Sequence, residues 1–85
     1  MKTFEIKLTR CCNGDTMSAT FRAVKLTKNA IQDALKKNKN AFNRWLAFGW
    51  TDMHIIDIEF GNIVAEGKYE FNAFAGRGSY EFKMI

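Results

Sequence analysis

From Thr3 to Arg10 the segment TFEIKLTR alternates apolar and polar residues. Phe4, Ile6 and Leu8 fall on one face and Glu5, Lys7 and Thr9 on the other, which predicts a half-buried strand. The CCNGD that follows contains Asn13-Gly14, the pair that best tolerates positive φ at both centres of a type I′ turn. A return strand over Thr16 to Lys25 is therefore expected, with Met17, Ala19, Phe21 and Ala23 toward the core. The period then changes. Ile31, Ala34, Leu35, Ala41, Phe42, Trp45 and Leu46 recur at steps of three and four and build one helical stripe about four turns long, with Phe48 at its edge. Asn29 with Gln32 fits a capping box at its start, and Thr27 offers an equally polar cap slightly earlier. Gly49 as a left-handed residue and Trp50 as an apolar follower supply a Schellman stop at its end.

Beyond the helix, HIIDIEF predicts a strand with His54, Ile56, Ile58 and Phe60 in one phase; Ile55 on the opposite side suggests a central position or a second packed layer. Gly61-Asn62 offers a two-residue turn, Ile63 to Phe74 a return strand, and Ser79 to Ile85 a final strand aligning Tyr80, Phe82 and Met84, with AGRG between the two. A second register ends the third strand at Ala65 and turns at Glu66-Gly67. Either register gives the order ββαβββ, an α+β fold in which one antiparallel sheet packs against a single amphipathic helix. Residues 1–85 are expected to form one compact domain.

Composition agrees with folding. The chain has 85 residues, 47% apolar and 14% aromatic with no proline, and a chain of this size buries roughly 60 to 65% of its unfolded surface. The start, MKTFEIKLTR, alternates where a secretory leader would be continuously apolar, and no membrane-length apolar run occurs; a cytoplasmic chain without membrane association is expected. Cys11 and Cys12 are neighbours, so two ordinary thiols in a reducing compartment are expected rather than a bridge.

The formal charge of +4 is unevenly spread: residues 1 to 50 carry ten Lys/Arg against three Asp/Glu, and residues 51 to 85 three against six. Such asymmetry can orient a charged partner, unless the last strands pair beside the first and neutralise them. The densest basic stretch is the helix. Across Arg22 to Arg44 there are seven Lys/Arg and Asp33 as the only acid, whereas a face built for solubility alone intersperses the signs. The candidate partner-binding residues are Arg22, Lys25, Lys28, Lys36, Lys37, Lys39, Asn40, Asn43 and Arg44, joined by Arg77 between two glycines. Lys7 and Arg10 extend the patch if they reach the same side.

Catalytic chemistry finds little footing. His54 is the single histidine, and no spacing enforces a cluster with Asp52, Asp57, Glu59 or the cysteines for acid-base, nucleophilic or zinc chemistry. No metal and no cofactor are expected, and Trp45 and Trp50 are read as core and cap residues. Helix-turn-helix, zinc-finger and basic-zipper patterns are missing as well. The expected function is therefore a small non-enzymatic protein-binding module, monomeric or homodimeric, whose partner is a larger protein or nucleoprotein complex, with loops CCNGD and AGRG filling pockets. Such a profile suits an inhibitor of a host nucleic-acid-processing or defence complex carried by a phage or mobile element. The alternatives are direct low-specificity binding of DNA or RNA and a structural protein that oligomerises through a sheet edge.

Overall fold

The computed structural model describes residues 1–10, 13–46, 48–72, 74 and 76–85, with only the backbone of Phe48. Expectations resting on Cys11 and Cys12 lie outside the described residues. The elements are β1 (Lys2–Arg10), β2 (Thr16–Ala23), α1 (Lys28–Leu46), β3 (Phe48–Asp57), β4 (Asn62–Asn72) and β5 (Arg77–Met84). All five strands form one antiparallel sheet in the order β2-β1-β3-β4-β5, and α1 packs on one of its faces. β3 is thus the central strand.

The core is the meeting of two stripes. Phe4, Ile6 and Leu8 of β1, Met53 and Ile55 of β3, and Ala65 and Tyr69 of β4 are buried beneath Ile31, Ala34, Leu35, Phe42 and Leu46 of α1. Met17, Ala19, Phe21 and Ala23 of β2 pack at one flank and Tyr80, Phe82 and Met84 of β5 at the other, each half-buried because one helix spans less than the full sheet. Aromatic rings carry the stripe outward. Tyr69 meets Phe42 edge-on at 5.7 Å and stacks on Tyr80 at 6.3 Å, and Tyr80 stacks on Phe82 at the same spacing.

Several expectations are corrected. Ala41 is exposed rather than part of the stripe. In β3 the buried phase is Thr51, Met53, Ile55 and Asp57, opposite to the one expected; His54 and Ile56 point to the uncovered face, and Ile58 and Phe60 leave the strand altogether. Both faces of β3 carry isoleucines, so alternation alone cannot tell which lies beneath the helix. At the helix start Thr27, not Asn29, is the cap: its Oγ1 accepts from Ala30 N–H at 3.1 Å. At the other end Gly49 does adopt positive φ, at 109°, but it is already paired with Phe71 inside β3, so no Schellman stop forms around it. Arg10 of β1 takes over part of that role, donating from Nη2 to the Trp45 carbonyl with its guanidinium 4.6 Å from the Trp45 ring.

The hairpins also differ from the two-residue turns expected at Asn13-Gly14 and Gly61-Asn62. Four residues separate Arg10 from Asp15, Asp57 from Asn62 and Asn72 from Arg77, and each loop closes on a glycine with φ between 67° and 75°: Gly14, Gly61 and Gly76. In the first two loops that glycine's N–H donates to the carbonyl four residues earlier, at 3.1 Å and 2.6 Å. β4 runs unbroken through Glu66-Gly67, which rules out the second register; its irregularity is a bulge where Ile55 and Ile56 of β3 oppose Ala65 and Ile63. Gly67 is needed for a different reason. A Cβ there would stand 1.9 Å from the Glu81 carbonyl oxygen, so β4 and β5 approach too closely for any side chain.

Candidate electrostatic interface

The fold converts the charge gradient along the chain into layers. β1 and β3 are neighbours, so basic and acidic side chains meet across the uncovered face of the sheet. One row reads Lys7, His54, Glu66, Lys83 from β1 to β5, and the next reads Asp52, Lys68, Glu81 from β3 to β5. Lys83 Nζ lies 3.8 Å from Glu66 Oε1, and Lys68 Nζ sits 4.8 Å over the ring of Trp50, which is 42% exposed on this face instead of capping the helix. A shallow concavity of about 440 Å³ runs between these rows. His54 is held there between Lys7 and Glu66, and no group of three His, Cys, Asp or Glu poised to hold a metal occurs among the described residues.

The helix layer is different. α1 holds five Lys/Arg and one Asp, and the remaining chain holds eight of each sign, so the helix alone accounts for the formal charge of +4. Its first turn begins at Lys28 and contains no acid, although cations at a helix N-terminus oppose the macrodipole. Asp33 stands four residues before Lys37 and supports it; Lys39 and Arg44 have no acid within helical reach.

Of the sequence-predicted site residues, Lys28, Lys36, Lys37, Lys39, Asn40 and Arg44 are exposed on α1, and Lys25 is exposed just before it. Lys36, Asn40 and Arg44 follow one another at four-residue steps along the outermost line. Arg22 lies at the β2 edge and shares with Lys37 a groove of about 460 Å³ along one shoulder of the helix. On the other shoulder Lys39 and Arg77 line a larger groove of about 750 Å³ with Glu70, Phe71, Gly49 and Gly78, where a Cβ at Gly78 would stand 3.3 Å from the phenylalanine ring. Three residues are drawn away. Asn43 is half-buried and its Oδ1 accepts the Tyr69 hydroxyl at 2.6 Å, while Lys7 belongs to the opposite face of the sheet. Arg10 is likewise committed to the helix end, and its Nε is buried with no hydrogen-bond partner among the described residues.

No local pattern along the chain announces the shoulder grooves, because they depend on β2 and β5 flanking one helix. The pairing of Asn43 with Tyr69 was hidden for the same reason, at 26 residues' separation. No described helix is long and apolar enough to cross a membrane. Comparison of the chain with protein-family models, curated proteins and solved structures found no match.

Proposed function

We propose that the chain is a small non-enzymatic binding module that docks its helix layer on an anionic surface of a larger protein or nucleoprotein complex. The observation that carries this reading is the concentration of the whole formal charge in one exposed helix while the rest of the chain is neutral. A helix selected for stability would place an acid in its first turn and intersperse signs along its outer line. Asp33 answers Lys36 and Lys37 alone; retaining Lys28, Lys39 and Arg44 with no acid within helical reach is the kind of local cost that a binding role offsets. The same polarity narrows the role as an inhibitor of a host nucleic-acid-processing or defence complex. A nucleic-acid groove is itself cationic, so this helix suits an acidic protein patch or a nucleic acid already held by the complex.

Immobilised protein is to be incubated with nuclease-treated lysate beside a variant carrying Lys36→Glu, Lys37→Glu and Lys39→Glu. A partner that survives nuclease and is lost with the charge-reversed variant supports the protein target; loss of every partner on nuclease treatment ends it.

Direct DNA or RNA binding is the second reading, favoured by the groove that Lys39 and Arg77 line together with Phe71, although Glu70 lines it too. Cations beside an aromatic surface suit a single strand, phosphates to the former and a base to the latter. A salt slope of about −0.7 per phosphate contact on a single-stranded oligonucleotide is expected. Binding that does not change with salt would remove this reading.

A further inference from the structure

The geometry points to a second copy of this chain as the partner of the β5 edge, joined antiparallel about a two-fold axis centred on Phe82. β5 is the last strand of the sheet, and its pairing with β4 proceeds without a register shift; proline, a common edge guard, is absent from the chain. The direction of its free backbone groups follows from one bond. Ile85 N–H donates to the Val64 carbonyl at 3.0 Å beside the Ala65–Met84 pair, which makes that pair a non-hydrogen-bonded one. By alternation, the N–H and C=O groups of Tyr80, Phe82 and Met84 turn outward.

A two-fold axis through Phe82 then forms reciprocal hydrogen bonds between the two Phe82 residues, and between Tyr80 of each copy and Met84 of the other. On the uncovered face it sets Glu81 opposite Lys83 twice. On the helix face it brings the half-buried Tyr80, Phe82 and Met84 of both copies together. Neighbouring registers fit worse. Centring on Glu81 or on Lys83 opposes like charges, centring on Tyr80 opposes Arg77 with Lys83, and centring on Ser79 leaves Phe82 and Met84 outside. The other edge, β2, carries Arg22 with no acid on its own strand to oppose it. The axis stands perpendicular to the sheet, so both helices lie on the same side of a continuous ten-stranded sheet. The pairing stands independently of what the helices bind.

Sedimentation velocity from low micromolar to about 0.5 mM tests the pairing, because a single strand-to-strand interface forms a weak, concentration-dependent dimer. Wild type is expected to dimerise. Glu81→Lys and Lys83→Glu alone are each expected to weaken dimerisation by at least about tenfold, since each opposes like charges twice. An equimolar mixture of the two variants restores it, because every Lys at 81 or 83 of one copy then meets a Glu of the other. Each variant also disturbs its own contact with Lys68 or Glu66, and mixing cannot repair that, so rescue reads the contact between copies alone. A monomeric wild type, single variants that dimerise normally, or a mixture of folded variants that stays monomeric would each overturn the pairing.

Discussion

Asp57 is 4% exposed at the end of β3, where its Oδ1 accepts from Glu59 and Phe60 N–H at 3.0 and 3.4 Å and its Oδ2 meets Lys2 Nζ at 3.1 Å. Burial by itself pushes the carboxyl pKa up. The Lys2 ammonium and the two backbone donors outweigh it, leaving the pKa below the ordinary value of 3.8. A lowered folded-state pKa means stability that is present above the unfolded value and lost as pH falls through the folded one. Thermal melting is expected to show an acid-side decline below about pH 4 that flattens in Asp57→Asn, which keeps an acceptor oxygen for the loop but loses the charge. An unchanged acid limb in the variant would refute the assignment. Tyr69 runs the other way: burial, and secondarily the Tyr80 phenol, raise its pKa above 10.0, so it remains a donor to Asn43 through the neutral range. Tyr69→Phe should cost about 1 kcal/mol in denaturant unfolding at neutral pH, part of it from the unsatisfied Asn43 oxygen. Neither role was legible in the sequence. An aspartate among HIIDIEF reads as a solvent-facing residue until the loop that it caps is known.

At the scale of the element, the hydrophobic period located β1, β2, α1, β4 and β5 because it reflects burial directly, whereas β3 begins at Phe48, six residues before the expected His54, because the helical stripe runs straight into it; α1 ends at Leu46. Caps and loops were harder, since Thr27 and Asn29 are chemically equivalent until the chain entering the helix is placed. Thr27→Ala is expected to lower helix stability by about 1 kcal/mol, and the melting temperature by about 4 to 8 °C, with Asn29→Ala nearly silent. Comparable losses from both would contradict the Thr27 cap. The hairpins were misread because Asn-Gly and Gly-Asn are strong two-residue signals, whereas here the glycine sits fourth in a longer loop. Gly67 separates the two uses of glycine. Gly67→Ala meets the Glu81 backbone and should destabilise by about 3 kcal/mol, measurable as a fall in denaturant midpoint; an unaffected midpoint would mean that β4 and β5 can part without loss.

For the whole molecule, the charge imbalance between the halves was legible, but its resolution into a basic layer over a neutral sheet was not, because that depends on β1 lying beside β3. The layer predicts that reversing Lys36 and Lys39 weakens anionic capture far more than reversing Lys7 and Lys68 on the uncovered sheet face, although both changes alter the net charge equally. Surface plasmon resonance on a heparin-like polyanion at two salt concentrations measures this, and equal losses would reduce the effect to net charge.

The strand order carries a kinetic consequence. β1 with β2, and β3 with β4 and β5, are chains of short-range hairpins; only the seam of β1 against β3 joins residues as distant as Ile6 and Ile55. Closing that seam must confine the longest intervening loop, so it is expected to set the folding rate. Ile6→Val and Ile55→Val should then slow refolding in stopped-flow experiments. Met84→Ala, at the end of the outermost hairpin, should instead hasten unfolding and leave refolding nearly untouched.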